Sequence, residues 1–223
     1  MTDSGIETPS QGITGMNIEI WSDVVCPWCY IGKRRLERAL EEFEQNVEVV
    51  WRSFELDPSA PTEPIGKLDE HLAEKYGTSV EQARGMMDQM ARAGAEEGLA
   101  LNFDRAQRGN TLDAHRLIHL AATQGVQSEM KERLFRAYMT EGKAISDRNE
   151  LANLAGEVGL DAEEVRAMLD TDAFVEDVRA DELRARHIGV SGVPFFVIDG
   201  RFGVSGAQSA EVLLEGLRRA AGE

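Results

Sequence analysis

"SDVVCPWCYIGKRRLERAL", residues 22–40, sets both cysteines of the chain, Cys26 and Cys29, two residues apart where a strand pattern gives way to a helical one. Upstream, "MNIEIWSD" from Met16 places Ile18 and Ile20 between polar neighbours, the period of two that a strand shows. Downstream, Tyr30, Ile31, Leu36, Leu40 and Phe43 fall at helical spacing. Cys26 therefore stands at a helix start, where unpaired backbone N–H groups and the helix dipole favour a thiolate. Pro27 suits the first helical position, whose N–H a helix does not use. Cys29 lies one turn further in, within reach of Cys26. An accessible nucleophile of lowered pKa beside a more buried resolving thiol is the arrangement that disulfide exchange needs.

Two other readings of the pair stand beside this one. Zinc asks for four ligands, and a single CxxC supplies two. The histidines are His71, His115, His119 and His187, none at the usual spacing from the cysteines; His115 and His119, four apart on one helix face, could form half a site. Two inert buried thiols are the remaining alternative, since free cysteine is often core. The pattern favours redox, and neither a metal nor a cofactor is expected.

Outward from the pair, "NVEVVWRSFEL" restores the period of two before Pro58, Pro61 and Pro64 stop it, so the first 60 or so residues read as a βαβ unit with parallel strands. From Gly66 to His187 helical segments follow one another, punctuated at Gly77, Gly98, Gly109, Gly125, Gly142 and Gly159. Thr78 with Glu81, Ser146 and Asp161 mark helix starts. "GVPFFVIDGRFGVSG" then gives two apolar runs split by Asp199-Gly200, a hairpin signal, and an amphipathic helix closes the chain. The order predicts an α/β fold: a tail over 1–15, one domain built from 16–65 and 188–223, and a helical domain inserted over 66–187.

Composition narrows the function classes. Over 223 residues, 42% hydrophobic and 29% charged content reads as globular, and a net charge of −16 disfavours nucleic acid or an anionic membrane as partner. No apolar run approaches the roughly 20 residues that span a bilayer. The opening "MTDSGIETPSQGITG" lacks the basic start and apolar stretch of a secretory signal, so the expected location is the cytoplasm. In that reducing compartment a CxxC is catalytic or metal-binding rather than a staple.

Cys-Pro-Trp-Cys at a first helix start, the long helical block, and Val193-Pro194 ahead of a closing ββα together resemble the DsbA-like branch of the thioredoxin superfamily over residues 16–221. "SDVVCPWCYIGKRRLE", "RSFELDP", "NTLDAHRLIHLA" and "GVSGVPFFVIDGRFGVSGAQ" are most similar to its FrnE-type group of cytoplasmic disulfide oxidoreductases. The resemblance implies a thioredoxin-like fold, Cys26 as attacking thiolate, Cys29 as resolving thiol, and Pro194 as a cis-proline beside them. Val193 would offer its backbone to an extended substrate, with Pro27 and Trp28 lining the same groove. The implied partners are a disulfide- or thiol-bearing substrate and a recycling thiol, with a homodimer left open. Kappa-class glutathione transferases and 2-hydroxychromene-2-carboxylate isomerases resemble the same scaffold with a serine at the Cys26 position. A glutathione-dependent isomerase or transferase is therefore the rival enzyme class, although "VSGAQ" departs from their pattern for the γ-glutamyl end. A non-catalytic binding or chaperone-like module is the second alternative.

Further residues carry weaker expectations. Trp28 is expected exposed, as a flat contact near the sulfur, against packing under the helices. Asp23 reads as an N-terminal cap. Asn110 and His115 read as structural, and Met86, Met87 and Met90 read as core ahead of an adaptable groove.

Overall fold

The computed structural model describes residues 15–63 and 66–223, so the tail expected over 1–15 lies outside it apart from Gly15. Strand β1 (Met16–Ser22), helix α1 (Pro27–Glu41) and strand β2 (Val47–Ser53) form the first unit, with β1 and β2 parallel and Ile18 opposite Val49. Helices α2 (Leu68–Tyr76), α3 (Val80–Glu96), α4 (Leu112–Thr123), α5 (Gln127–Arg136), α6 (Arg148–Glu157), α7 (Ala162–Leu169) and α8 (Val175–His187) follow. A π-helical turn, Ala137–Glu141, extends α5. Strands β3 (Phe195–Ile198) and β4 (Phe202–Ser205) and helix α9 (Ala210–Ala221) close the chain. The sheet order is β2-β1-β3-β4, with β3 antiparallel to both neighbours.

Alternation along the strands separates two packed faces. Ile18, Ile20, Phe196 and Ile198 belong to the main core with Ile31 and Leu36 of α1 and Leu213 and Leu217 of α9. Trp21 and Val197 point the other way and pack with Ala185 of α8. The Asp199-Gly200 turn has φ of 52° and 65°, the pair of positive values that a type I′ hairpin turn requires, and Arg201 N–H donates to Ile198 O across it at 3.0 Å.

Two helix starts differ from expectation by one residue. Helix α3 is capped by Ser79, whose hydroxyl accepts from Gln82 N–H while the Gln82 side chain accepts from Ser79 N–H, and α6 is capped by Asp147. In each case a neighbouring oxygen, Thr78 or Ser146, competed in the sequence, and the backbone angle at the cap decided between them. Gly77, Gly98, Gly125, Gly142 and Gly159 do end helical segments with positive φ; Gly109 does not adopt that conformation. Among the described residues no helix is long and apolar enough to cross a membrane.

One carboxylate, beside the Arg184–Glu19 ion pair to β1, ties helix α8 to the sheet. Asp181 accepts from Ser53 N–H at 2.9 Å and from Arg52 at 3.2 Å and stands 3.2 Å from His119 Nε2, while its backbone carbonyl accepts from the Trp21 indole at 2.9 Å. Asp181→Ala strands a buried amide donor, and the expected loss is about 1–3 kcal/mol. Chemical denaturation checks it, with a lower midpoint at an unchanged slope.

Candidate active site

The turn between β1 and α1 places the sulfurs. Cys26 is the N-cap of α1 in extended conformation, Pro27 takes the first helical position, and Cys29 N–H donates to Cys26 O at 3.0 Å. Both cysteines are free thiols. Cys26 is 5% exposed and lines a cavity, whereas Cys29 is 1% exposed and lies beneath it, so outside reagents meet Cys26 first.

The far segment meets this turn. The Val193-Pro194 bond is cis, and the Cys26 thiol donates to Val193 O at 3.6 Å. Gly32 makes the approach of α1 possible: a Cβ there would stand 3.1 Å from Pro194 Cγ and 3.3 Å from the Phe196 ring. This close approach is a reason for glycine in the middle of an otherwise ordinary helix.

Helix α5 supplies a buried charge. Lys131 is wholly buried, donates to Ser22 O at 3.3 Å, and lies 5.0 Å from the Phe135 ring centroid and 5.5 Å from that of Trp51. Burial draws its pKa down to about 8, while the charges of Cys29, Asp23 and Cys26 hold its proton on. The Cys29 thiol is shifted down: burial opposes this, but its hydrogen bond with Cys26 and the Lys131 charge outweigh burial. Cys26 is pushed well up, by its hydrogen bond with Cys29 first, then by burial and by the Cys29 charge. From its place at the helix start, Cys26 is expected to carry the lowered pKa. Two buried sulfurs in contact instead titrate as a pair: the hydrogen bond between them and the Lys131 charge favour loss of a first proton, and the charge already present opposes loss of the second.

Asp23 does not cap α1. Its carboxylate accepts from Leu56 N–H at 2.7 Å and from His115 Nε2 at 3.3 Å. Burial raises its pKa, yet His115, Leu56 and Lys131 together leave it below the usual carboxylate range, so it is a fixed buried anion near the thiols. His115 and His119 do not share a site: His119 faces Ser53 Oγ at 3.1 Å and Asp181. Among the described residues no cluster of three His, Cys, Asp or Glu side chains could hold a metal.

The sequence matches the family model of the DSBA-like thioredoxin domain over residues 17–218. The chain belongs to that family. It is 45% identical to a probable DsbA oxidoreductase from Streptomyces coelicolor, with a TM-score of 0.89 and coverage of 93% of this chain and 91% of that one. It is 30% identical over 200 residues to the uncharacterized protein YwbO of Bacillus subtilis, covering 88% of this chain and 93% of the relative. The cytosolic disulfide reductase DsbM from Pseudomonas aeruginosa, solved with GSH, shares the fold at 19% identity and a TM-score of 0.63, with 93% of this chain and 100% of that one covered.

Within this DSBA-like fold, Cys26, Pro27, Trp28 and Val193 line one cavity of about 330 Å³. Pro194, the residue before β3, is cis-bonded to Val193 and packs toward Gly32 of α1, and it is not among the residues that line this cavity. Trp28 is 41% exposed, matching the expected exposure. Met86 and Met90 line the cavity, contrary to the preference for core, whereas Met87 is buried in the core. Asn110 is structural: its side chain accepts from Leu112 N–H at 2.8 Å and donates to Pro58 O at 3.2 Å. Sequence reasoning passed over Lys131 and Gly32. Lys131 stands four residues before Phe135 on the apolar stripe of α5, a position where a lysine ordinarily snorkels its charge out to water.

Proposed function

We propose that the protein is a thiol–disulfide oxidoreductase of the FrnE type in which Cys26 attacks and Cys29 resolves. The observation that carries this reading is the asymmetry of the pair: Cys26 opens on the cavity beside Val193 O, while Cys29 is sealed below it near Lys131. In the first step Cys26 passes its proton to the Cys29 thiolate and attacks one sulfur of a substrate disulfide. A Cys26–substrate bond forms, the substrate S–S bond breaks, and one substrate thiolate leaves. That thiolate takes the proton back from Cys29, which attacks Cys26 sulfur and releases the second substrate thiolate. The substrate gains two electrons and the pair becomes a disulfide. A dithiol of the recycling system returns it to the reduced state.

We place the reaction in the cytoplasm, where a chain with two cysteines and no further thiols to cross-link suits a reducing poise, and there the reductive direction is favoured. On this reading the helices over 66–187 are an insertion into a thioredoxin-like domain formed by 16–65 and 188–223, covering the sulfur with a wall. Titration against defined dithiol/disulfide ratios tests the function. A single transition of about 30 mV per tenfold change in ratio, the two-electron slope, is expected, and its loss in Cys26→Ser. A wild-type protein that forms no internal disulfide across the accessible range of potentials contradicts the reading.

A further inference from the structure

The cavity in front of Cys26 indicates what kind of disulfide reaches it. Its volume of about 330 Å³ lies at the lower end of the ~300–1,000 Å³ typical of small-molecule sites. Helices α2 and α3 contribute Leu72, Met86 and Met90 to its wall, and methionine adapts its shape to varied apolar bodies. Trp28, Leu56, Tyr76 and Met86, all lining it, are among the most exposed large apolar side chains of the molecule, at 41%, 38%, 57% and 36%. Such surface invites an apolar occupant.

Polar groups in the wall are few, and their commitments differ. Both carboxylates are occupied: Asp23 by Leu56 N–H and His115, Asp57 by Ser59 Oγ at 2.7 Å and by Arg108 at 3.3 Å. Arg108 donates one long hydrogen bond to Asp57 and has further guanidinium N–H groups, and Lys75 makes no ion pair among the described residues. His71 lines the cavity with these cations: burial first, then Arg108 and Lys75, lower its pKa, so it is an uncharged hydrogen-bonding group near neutral pH. Thr111, 3% exposed, lines the same cavity with an Oγ1 that has no hydrogen-bond partner. An adjoining hollow repeats His71, Lys75 and Arg108 beside Asp57 and Glu74. In a chain of net charge −16, donors and cations with spare capacity thus gather at the end of an apolar cavity.

We infer that the site takes a small disulfide with an apolar, aromatic-sized body carrying a carboxylate, seated with the body against Met86 and Met90, the carboxylate on Arg108 and Lys75, and one sulfur at Cys26. This rests on the oxidoreductase reading and adds the substrate class to it. The bond changes are those of the exchange above, with the carboxylate a spectator that orients the reacting sulfur.

Two aromatic disulfides of similar size test it in single-turnover reaction with the reduced protein: dithiobis-nitrobenzoate, which carries carboxylates, and dithiodipyridine, which is uncharged near neutral pH. In the Arg108→Gln/Lys75→Gln variant the nitrobenzoate-to-dipyridine rate ratio is expected to fall about tenfold, the worth of a hydrogen bond to a charged group. The single exposed change Lys75→Gln should lower it part of the way. Arg219→Gln, on α9, alters net charge by the same amount per residue as Lys75→Gln and should leave the ratio as in the wild type. A ratio that does not move in the double variant, or that moves as much in Arg219→Gln as in Lys75→Gln, overturns the assignment and leaves the oxidoreductase reading standing. Failure of both reagents to modify Cys26 in the wild type sinks the reading on which it rests.

Discussion

Lys131→Met is expected to give a protein that is more stable and less reactive. Lys131 is wholly buried, and burial draws its pKa from the ordinary 10.5 down to about 8. An unfolded chain keeps the proton on this lysine up to about 10.5 and the folded chain up to about 8, so between those values the unfolded state binds more protons. Stability therefore rises with pH across that window, and below it the buried charge costs the fold about 3 kcal/mol. Methionine has a similar length and no charge, so a gain on the order of 1–3 kcal/mol is expected near neutral pH, together with a flatter dependence of the denaturation midpoint on pH. The thiol pair loses its counter-charge at the same time. Its first ionisation should move up, and alkylation of Cys26 near neutral pH should slow about tenfold. Opposite signs for stability and reactivity separate this account from simple damage: a variant that is less stable and alkylates at the wild-type rate contradicts it.

Cys29→Ser should abolish turnover and preserve the first attack. Cys29, one turn from Cys26, resolves the bond at Cys26 within the molecule, and without it that bond waits on an external dithiol, which lacks the effective concentration of a neighbouring group. Multiple-turnover reduction of a small disulfide should fall by at least about a hundredfold, while one equivalent of substrate thiolate is still released per protein. The burst itself should slow, since serine cannot take the Cys26 proton as a thiolate does. A glutathione-dependent isomerase needs no second thiol and would keep its rate.

Local pattern exposed most of the fold and the two sulfurs. The period of two in "MNIEIW" and "VEVVWRS", the helical spacing after Pro27 and the Asp199-Gly200 turn each depend on residues close in sequence, and β1, α1, β2 and the hairpin stand where those signals lie. Adjacent competing oxygens misplaced the caps of α3 and α6 by one residue, because only the backbone angles separate Ser79 from Thr78 and Asp147 from Ser146. The electrostatics of the pair was hidden for a different reason. Asp23 meets His115 across 92 positions, and Lys131 meets the Ser22 carbonyl across 109, so neither contact leaves a periodicity to read. The wall of the cavity was half visible: three methionines stood out, but the turn of α3 that sends Met87 to the core and Met86 and Met90 to the cavity appears only once α3 is docked.

The central claim is that Cys26 attacks and Cys29 resolves, and intact-mass spectrometry of Cys29→Ser after reaction with a small aromatic disulfide tests it most directly. The account predicts one substrate half attached per chain, located at Cys26, stable to dilution and removed by a dithiol. An unmodified Cys29→Ser protein, or one that turns over the disulfide as the wild type does, would contradict it.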